Sequence, residues 1–160
     1  MTGIIGPELE GKLDWLALSD AIEAGHHLPR AEIEDTFLYR GDDTLLSRTA
    51  WIDGLGQMVK TTTIFPGNDR IGKPRIQGVA CLFGDGDGAL EAIVDFELLT
   101  KWKTAGDSLL AARKLARPDA QTILIVGAGK VGWSLREAYA AAFPAARFLV
   151  WNRTMARAAA

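Results

Sequence analysis

Apolar positions change their period several times along this chain, and each change marks an element. Between Trp15 and His26 the spacing is helical: Trp15, Leu18, Ala21 and Ile22 fall on one face, and Asp14 stands where a side chain can cap the first turn. From Asp35 the period shortens to two. Thr36 to Arg40, Asp43 to Ile52 and Gln57 to Phe65 are expected as strands, separated by Gly41-Asp42 and by Asp53-Gly54-Leu55-Gly56. Pro66-Gly67-Asn68-Asp69 marks a turn, and Arg75 to Phe83 with Ala89 to Phe96 form a hairpin around Gly84-Asp85-Gly86-Asp87-Gly88. This Asp-Gly repeat is read as a turn and not as a calcium loop, because Ala89 stands where another oxygen ligand would be needed. A long helix follows from Leu98 to Arg117, with Leu98, Trp102, Ala105, Leu109, Ala112 and Leu115 recurring at three and four residues, and Pro118-Asp119 stops it.

The stretch Gln121 to Thr154 then organises the rest. The aliphatic run Gln-Thr-Ile-Leu-Ile-Val flows into Gly127-Ala128-Gly129-Lys130-Val131-Gly132, a helix follows to Phe143, and a second apolar run ends at Trp151. This is the pattern of a βαβ dinucleotide-binding unit. Gly127 permits the tight turn, Gly129 lets the backbone approach a pyrophosphate, and Gly132 lets the helix lie close to the strand. The N–H groups of the first helical turn, including those of Lys130 and Val131, then face the phosphates. At the end of the second strand an NAD site usually places an acid on the ribose 2′-hydroxyl, whereas this chain has Asn152-Arg153-Thr154. NADP(H) is therefore favoured, with NAD(H) left open.

The expected fold class is α/β: a mainly antiparallel α+β lobe for substrate and dimerisation over residues 1–118, followed by the start of a Rossmann-type lobe over 119–160. Composition agrees with a folded chain of this size, since 48% of the 160 residues are hydrophobic and 24% charged. The 18 basic and 20 acidic residues are interspersed and sum to −2, which points away from nucleic acid and anionic membranes and towards small ligands. Cys81 is the sole cysteine, so no intrachain disulfide forms, and within an apolar run it is read as packing in a reducing compartment. No basic and apolar leader opens the sequence, and no apolar run is long enough to span a bilayer, so a cytoplasmic location is expected. His26 and His27 close the first helix without spaced metal-ligating partners, and no metal is expected.

Three basic residues stand in apolar or β-like context: Arg48, Lys60 and Lys103. Together they suit a carboxylate, which arginine grips bidentately while a lysine holds the second oxygen or polarises a C=N bond. From spacing alone, three side chains snorkelling at a surface is the simpler account. The segments Lys60-Thr-Thr-Thr-Ile-Phe-Pro-Gly-Asn68, Pro74-Arg-Ile-Gln-Gly-Val79, Leu99-Thr-Lys-Trp-Lys-Thr-Ala105 and Val126-Gly-Ala-Gly129 with Trp151-Asn-Arg-Thr154 change that balance, because in this order they resemble the ornithine cyclodeaminase and mu-crystallin family. The resemblance runs across essentially the whole chain. It implies a two-lobed, usually homodimeric protein using a nicotinamide cofactor on amino or cyclic imino acids. It further implies that Arg48 and Lys60 contact the substrate carboxylate, that Lys60 is catalytic, and that Arg75 lies near the cofactor.

Three departures accompany the resemblance. Lys103-Thr104-Ala105 stands where the family commonly has Arg-Thr-Ala, which turns a bidentate grip into a point-charge contact. Arg75 stands where the family often has Thr or Ser. The family's catalytic aspartate lies beyond the first βαβ unit, so the 160 residues are expected to be an N-terminal half and inactive alone. The reading favoured is an NADPH-dependent reductase of cyclic imino acids such as Δ1-pyrroline-2-carboxylate. Ornithine cyclodeaminase with bound NAD and a non-catalytic, mu-crystallin-like binding protein are its rivals.

Overall fold

A computed structural model of the chain describes residues 2–117 and 119–158, with the side chains of all of these except Met155 and Arg157. Pro118, expected to stop the long helix, lies outside the described residues, as does Ala160. The residues fall into two compact units: Met1–Gly11 with His26–Leu99, and Lys12–Gly25 with Thr100–Ala160. A helix near the N-terminus and most of the long helix group with the glycine-containing segment, because their apolar faces pack on its helix and not on a sheet.

The first unit is a six-stranded sheet. Its strands are β1 (Gly3–Ile5), β2 (Glu32–Arg40), β3 (Asp43–Ile52), β4 (Gly56–Ile64), β5 (Ile76–Phe83) and β6 (Leu90–Asp95), ordered β1-β6-β5-β4-β3-β2. Every neighbouring pair is antiparallel except β1 with β6. The turns set the registers. Gly41, at φ 59°, takes the first position of the two-residue turn between β2 and β3 and fixes Arg40 opposite Asp43. Gly56 cannot carry a side chain, since a Cβ there would lie 2.4 Å from the Phe83 carbonyl oxygen and its φ is 122°. Ala80, Ala92 and Val94 form the buried centre of one face, with Ile5, Met58, Leu82 and Leu99 packed on them.

The second unit holds α1 (Trp15–Gly25), most of α2 (Phe96–Leu115), β7 (Thr122–Val126), α3 (Lys130–Ala142), β8 (Arg147–Trp151) and the short α4 (Met155–Ala158). Asp14 caps α1 as expected, its Oδ1 accepting from the Ala17 N–H at 2.8 Å. Trp15 stacks on Trp102 with ring centroids 3.8 Å apart, and Gly106 lies so close to Leu18 and Ile22 that a Cβ there would meet Leu18 at 2.7 Å. Ala105, Leu109 and Ala138 form the core, joined by Leu135, Tyr139 and Ala142. Two expected core positions fail: Ala21 is exposed and Leu115 is 84% exposed, while Ser19 and Leu110 are buried instead. A helix packed on one side and ending in solvent buries only the part of its stripe that has a partner. The strands β7 and β8 pair in parallel, as the glycine motif predicts.

Candidate functional site

On the sheet, register decides which side chains meet. Asp35 on β2 pairs with Arg48 on β3, Arg48 with Lys60 on β4, Lys60 with Ala80 on β5, and Ala80 with Val94 on β6. Directly opposed residues share a face, so these positions form one row running from a carboxylate through two cations into the apolar core. Arg48 grips Asp35 through one edge of its guanidinium, Nε to Oδ1 at 2.7 Å and one terminal nitrogen to Oδ2 at 2.5 Å. That hydrogen bond, with Arg48's charge behind it, holds the Asp35 carboxyl below the ordinary carboxylate range and raises Arg48 above the ordinary arginine value. Lys60 is half-buried and makes no hydrogen bond or ion pair among the described residues. Arg48 directly opposite is a like charge, and the anion that feels the Lys60 charge, Asp35, is already hydrogen-bonded to Arg48.

Arg48 and Lys60 stand out in the sequence as candidate contacts, and Asp35 does not. The signal was available in the Gly41-Asp42 turn. A two-residue hairpin turn fixes Arg40 opposite Asp43, and counting back five positions on one strand and forward five on the other brings Asp35 to Arg48. Thr62, on the same face as Lys60 and 5% exposed, has a buried hydroxyl without a partner.

The other expected residues are placed as follows. Arg75 is exposed at the mouth of β5, ion-paired through a terminal nitrogen with Asp69, whose carboxyl it holds below the usual range. Its carbonyl accepts from the Phe65 N–H at 2.7 Å and Asn68 donates to the Pro74 carbonyl at 2.8 Å, so the 66–75 loop is tied at its base. Lys103, on α2 within the second unit, is exposed and lies 3.4 Å from Asp107 one turn on.

In the second unit the glycines have distinct geometric roles. Gly127 adopts φ 114°, which side-chain-bearing residues rarely reach. A Cβ on Gly132 would sit 2.1 Å from the Gly127 carbonyl oxygen, so the helix can pass the turn only without one. Gly129 is the residue before α3 and offers no side-chain cap to the first turn. Asn152 ties the end of β8 to this turn: its Oδ1 accepts from the Ala128 N–H at 3.3 Å and its Nδ2 donates to the Thr154 carbonyl at 2.9 Å. Arg153 and Thr154 are exposed beside it. An open groove of about 410 Å³ adjoins the turn, lined by Gly127, Ala128, Gly132, Trp133, Arg136 and Val150 among others. A main chain kept bare at the turn and a helix start without a capping side chain fit a dinucleotide pyrophosphate.

A sheet carrying a row of cations and a strand, glycine turn, helix and parallel strand are the parts of an α/β protein of Rossmann-type dehydrogenase architecture. The chain belongs to the ornithine cyclodeaminase/mu-crystallin family, whose sequence profile matches residues 52–160. It is 49% identical over 144 residues to the Δ1-pyrroline-2-carboxylate reductase of Paracoccus denitrificans (strain Pd 1222), covering 89% of this chain and 46% of that protein. Among solved structures it resembles an archaeal alanine dehydrogenase dimer with bound NAD at a TM-score of 0.84 and 20% identity, covering 99% of this chain and 51% of the other. It also resembles the Thermococcus litoralis Δ1-pyrroline-2-carboxylate reductase in complex with NADH and L-proline, at a TM-score of 0.80, 19% identity and the same two coverages, 99% and 51%. The two structural likenesses are likenesses of fold. The chain spans about half the length of these relatives.

Proposed function

We propose that the protein carrying this chain is an NADPH-dependent reductase of cyclic imino acids of the Δ1-pyrroline-2-carboxylate type. The observation that carries this reading is the cross-strand pairing of Arg48 with Lys60 on one face of the sheet, where two cations stand side by side and the Lys60 ammonium makes no hydrogen bond among the described residues. The 49% identity to a Δ1-pyrroline-2-carboxylate reductase supports it. Lys60 would take one carboxylate oxygen and Arg48 the other, orienting the ring so that its C=N bond is presented in one way only, with Lys60 also polarising that bond. Lys103 would add a third positive charge. Residues 1–118 form the substrate and dimerisation lobe in this reading, and 119–160 open the dinucleotide lobe.

When bound, the nicotinamide dinucleotide supplies the hydride that reduces the imine carbon. Gly127, Gly129, Lys130, Val131 and Gly132 would hold its pyrophosphate through main-chain N–H groups. Asn152, Arg153 and Thr154 would meet the ribose, with Arg153 on a 2′-phosphate and Arg75 a further contact. The protein would be a homodimer in the cytoplasm. β2 supports the dimer: it is a nine-residue edge strand exposing Ile33, Phe37, Leu38 and Tyr39, a surface that invites pairing. Among the described residues no helix is long and apolar enough to cross a membrane.

The test is turnover by the full-length protein with NADPH and a panel of cyclic imino acids. NADPH oxidation matched by proline formation from Δ1-pyrroline-2-carboxylate supports the reading. Ligand binding without oxidation would replace it with a binding protein, and ammonia release from ornithine with bound NAD would replace it with a cyclodeaminase.

A further inference from the structure

The Asp35 carboxylate occupies the end of the cation row and the Nε edge of Arg48's guanidinium, and its position is fixed by strand register, not by a flexible loop. Along Asp35, Arg48 and Lys60 the charges are −1, +1 and +1. The row therefore presents a net charge of about +1 to a ligand, matched to a single carboxylate. With the fork turned to Asp35, a ligand carboxylate finds the Lys60 ammonium and the remaining guanidinium nitrogen. A second carboxylate on the same ligand finds no third cation in the row and meets the negative Asp35.

We propose that Asp35 is a specificity-determining residue that restricts this site to monocarboxylic imino acids and excludes dicarboxylic ones. The inference rests on the reading of Arg48 and Lys60 as the carboxylate site and names the ligand class that site accepts. Asp35 acts through Arg48 and through its own charge, and it takes no part in the chemical step. Removing that charge frees the Nε edge of Arg48 for a second carboxylate and changes the row's net charge to about +2, so the preference moves towards the dianion.

The test measures cofactor-free binding to the full-length protein by calorimetry, with pyrrole-2-carboxylate and pyrrole-2,5-dicarboxylate as planar mimics. The parent is expected to bind the monocarboxylate more tightly. Asp35→Asn should shift the ratio of the two affinities towards the dicarboxylate by roughly tenfold, the scale of one charge interaction at a partly exposed site. Asp35→Glu should retain the parent's preference, and Asp35→Ser carries the same test where Asp35→Asn does not fold. A purely structural role would weaken both ligands together and leave the ratio unmoved, which would overturn the proposal. Binding of neither mimic by a parent that still binds NADPH would overturn the carboxylate reading of the row and this proposal with it. Normal monocarboxylate binding with an unchanged ratio in Asp35→Asn would overturn this proposal alone.

Discussion

The sheet and the glycine unit build their candidate sites from opposite materials. On the sheet, Asp35, Arg48 and Lys60 are side chains brought into line by strand pairing that extends over nine positions between β2 and β3 and again between β3 and β4. Around the turn at Gly127 the site is main chain, kept usable by the absence of side chains at Gly127, Gly129 and Gly132. In the first region a substitution can remove chemistry and leave the scaffold standing, because the register is held by many other pairs. In the second, adding one carbon at Gly127 or Gly132 disturbs the scaffold and the site together. The covering of the two units differs as well. β7 and β8 bury Ile125 beneath α3 but leave Val126 70% and Leu149 41% exposed on the opposite face. A parallel pair is normally covered on both faces, so this face is an apolar surface of the kind that other protein normally covers.

The largest effect expected from this contrast belongs to Lys60→Met. In the full-length protein it should lower imine reduction by roughly 100-fold or more while leaving NADPH affinity within a few-fold. An equal fall in cofactor binding would assign Lys60 to the nucleotide site or to the fold. Gly132→Ala should do the reverse. Its Cβ would press on the Gly127 carbonyl, so unfolding experiments should show a loss of about 1–3 kcal/mol and dinucleotide affinity should drop, with carboxylate binding to the sheet retained. Unchanged stability and affinity would mean that the turn relaxes freely. Arg153→Ala should narrow the preference for NADPH over NADH by roughly 1–3 kcal/mol, the scale of a charge-assisted hydrogen bond. A parent protein with equal affinity for both cofactors would refute the role given to Arg153. The smallest effect is one of pH. Arg48 holds the Asp35 carboxyl below its ordinary 3.8, so the pair's contribution to stability is present above that value and is lost as pH falls through the lower folded value. Acid unfolding of the parent should therefore lose its advantage over Asp35→Asn below about pH 4, and an advantage that persisted in stronger acid would contradict the pairing.

Much of this was legible in the sequence where a local rule governed. The strand Asp43–Ile52 was read to its residue limits because alternation and flanking turns agree there, and Asp14 announced its helix through the capping position. The glycine motif fits the order of strand, helix and parallel strand, with Gly127 at a positive φ and Gly132 where a Cβ would meet the Gly127 carbonyl. What escaped was non-local. β1 is three residues long and exists through parallel pairing with β6 some ninety residues away, which no periodicity reveals. β2 begins at Glu32, four residues before the expected start, because pairing with β3 carries the strand past the point where alternation weakens. Ser19 replaced Ala21 on the buried face of α1 because the packing partners select the stripe, not its hydrophobicity alone. Asp35 was overlooked because its role lies in a cross-strand partnership. Lys60 was recognised from its apolar neighbours and from family likeness.

The central claim is that the sheet row recognises a substrate carboxylate. It is tested most directly by comparing Δ1-pyrroline-2-carboxylate with Δ1-pyrroline, the same ring without that group, in NADPH-dependent reduction by the full-length protein and by its Arg48→Gln and Lys60→Met variants. The account predicts that the parent prefers the carboxylate-bearing imine by roughly 100-fold or more in kcat/KM, and that each variant loses most of this preference, with activity on Δ1-pyrroline little changed in Arg48→Gln and lower in Lys60→Met, which also removes the group that polarises the C=N bond. A preference preserved in both variants would show that the carboxylate is held elsewhere.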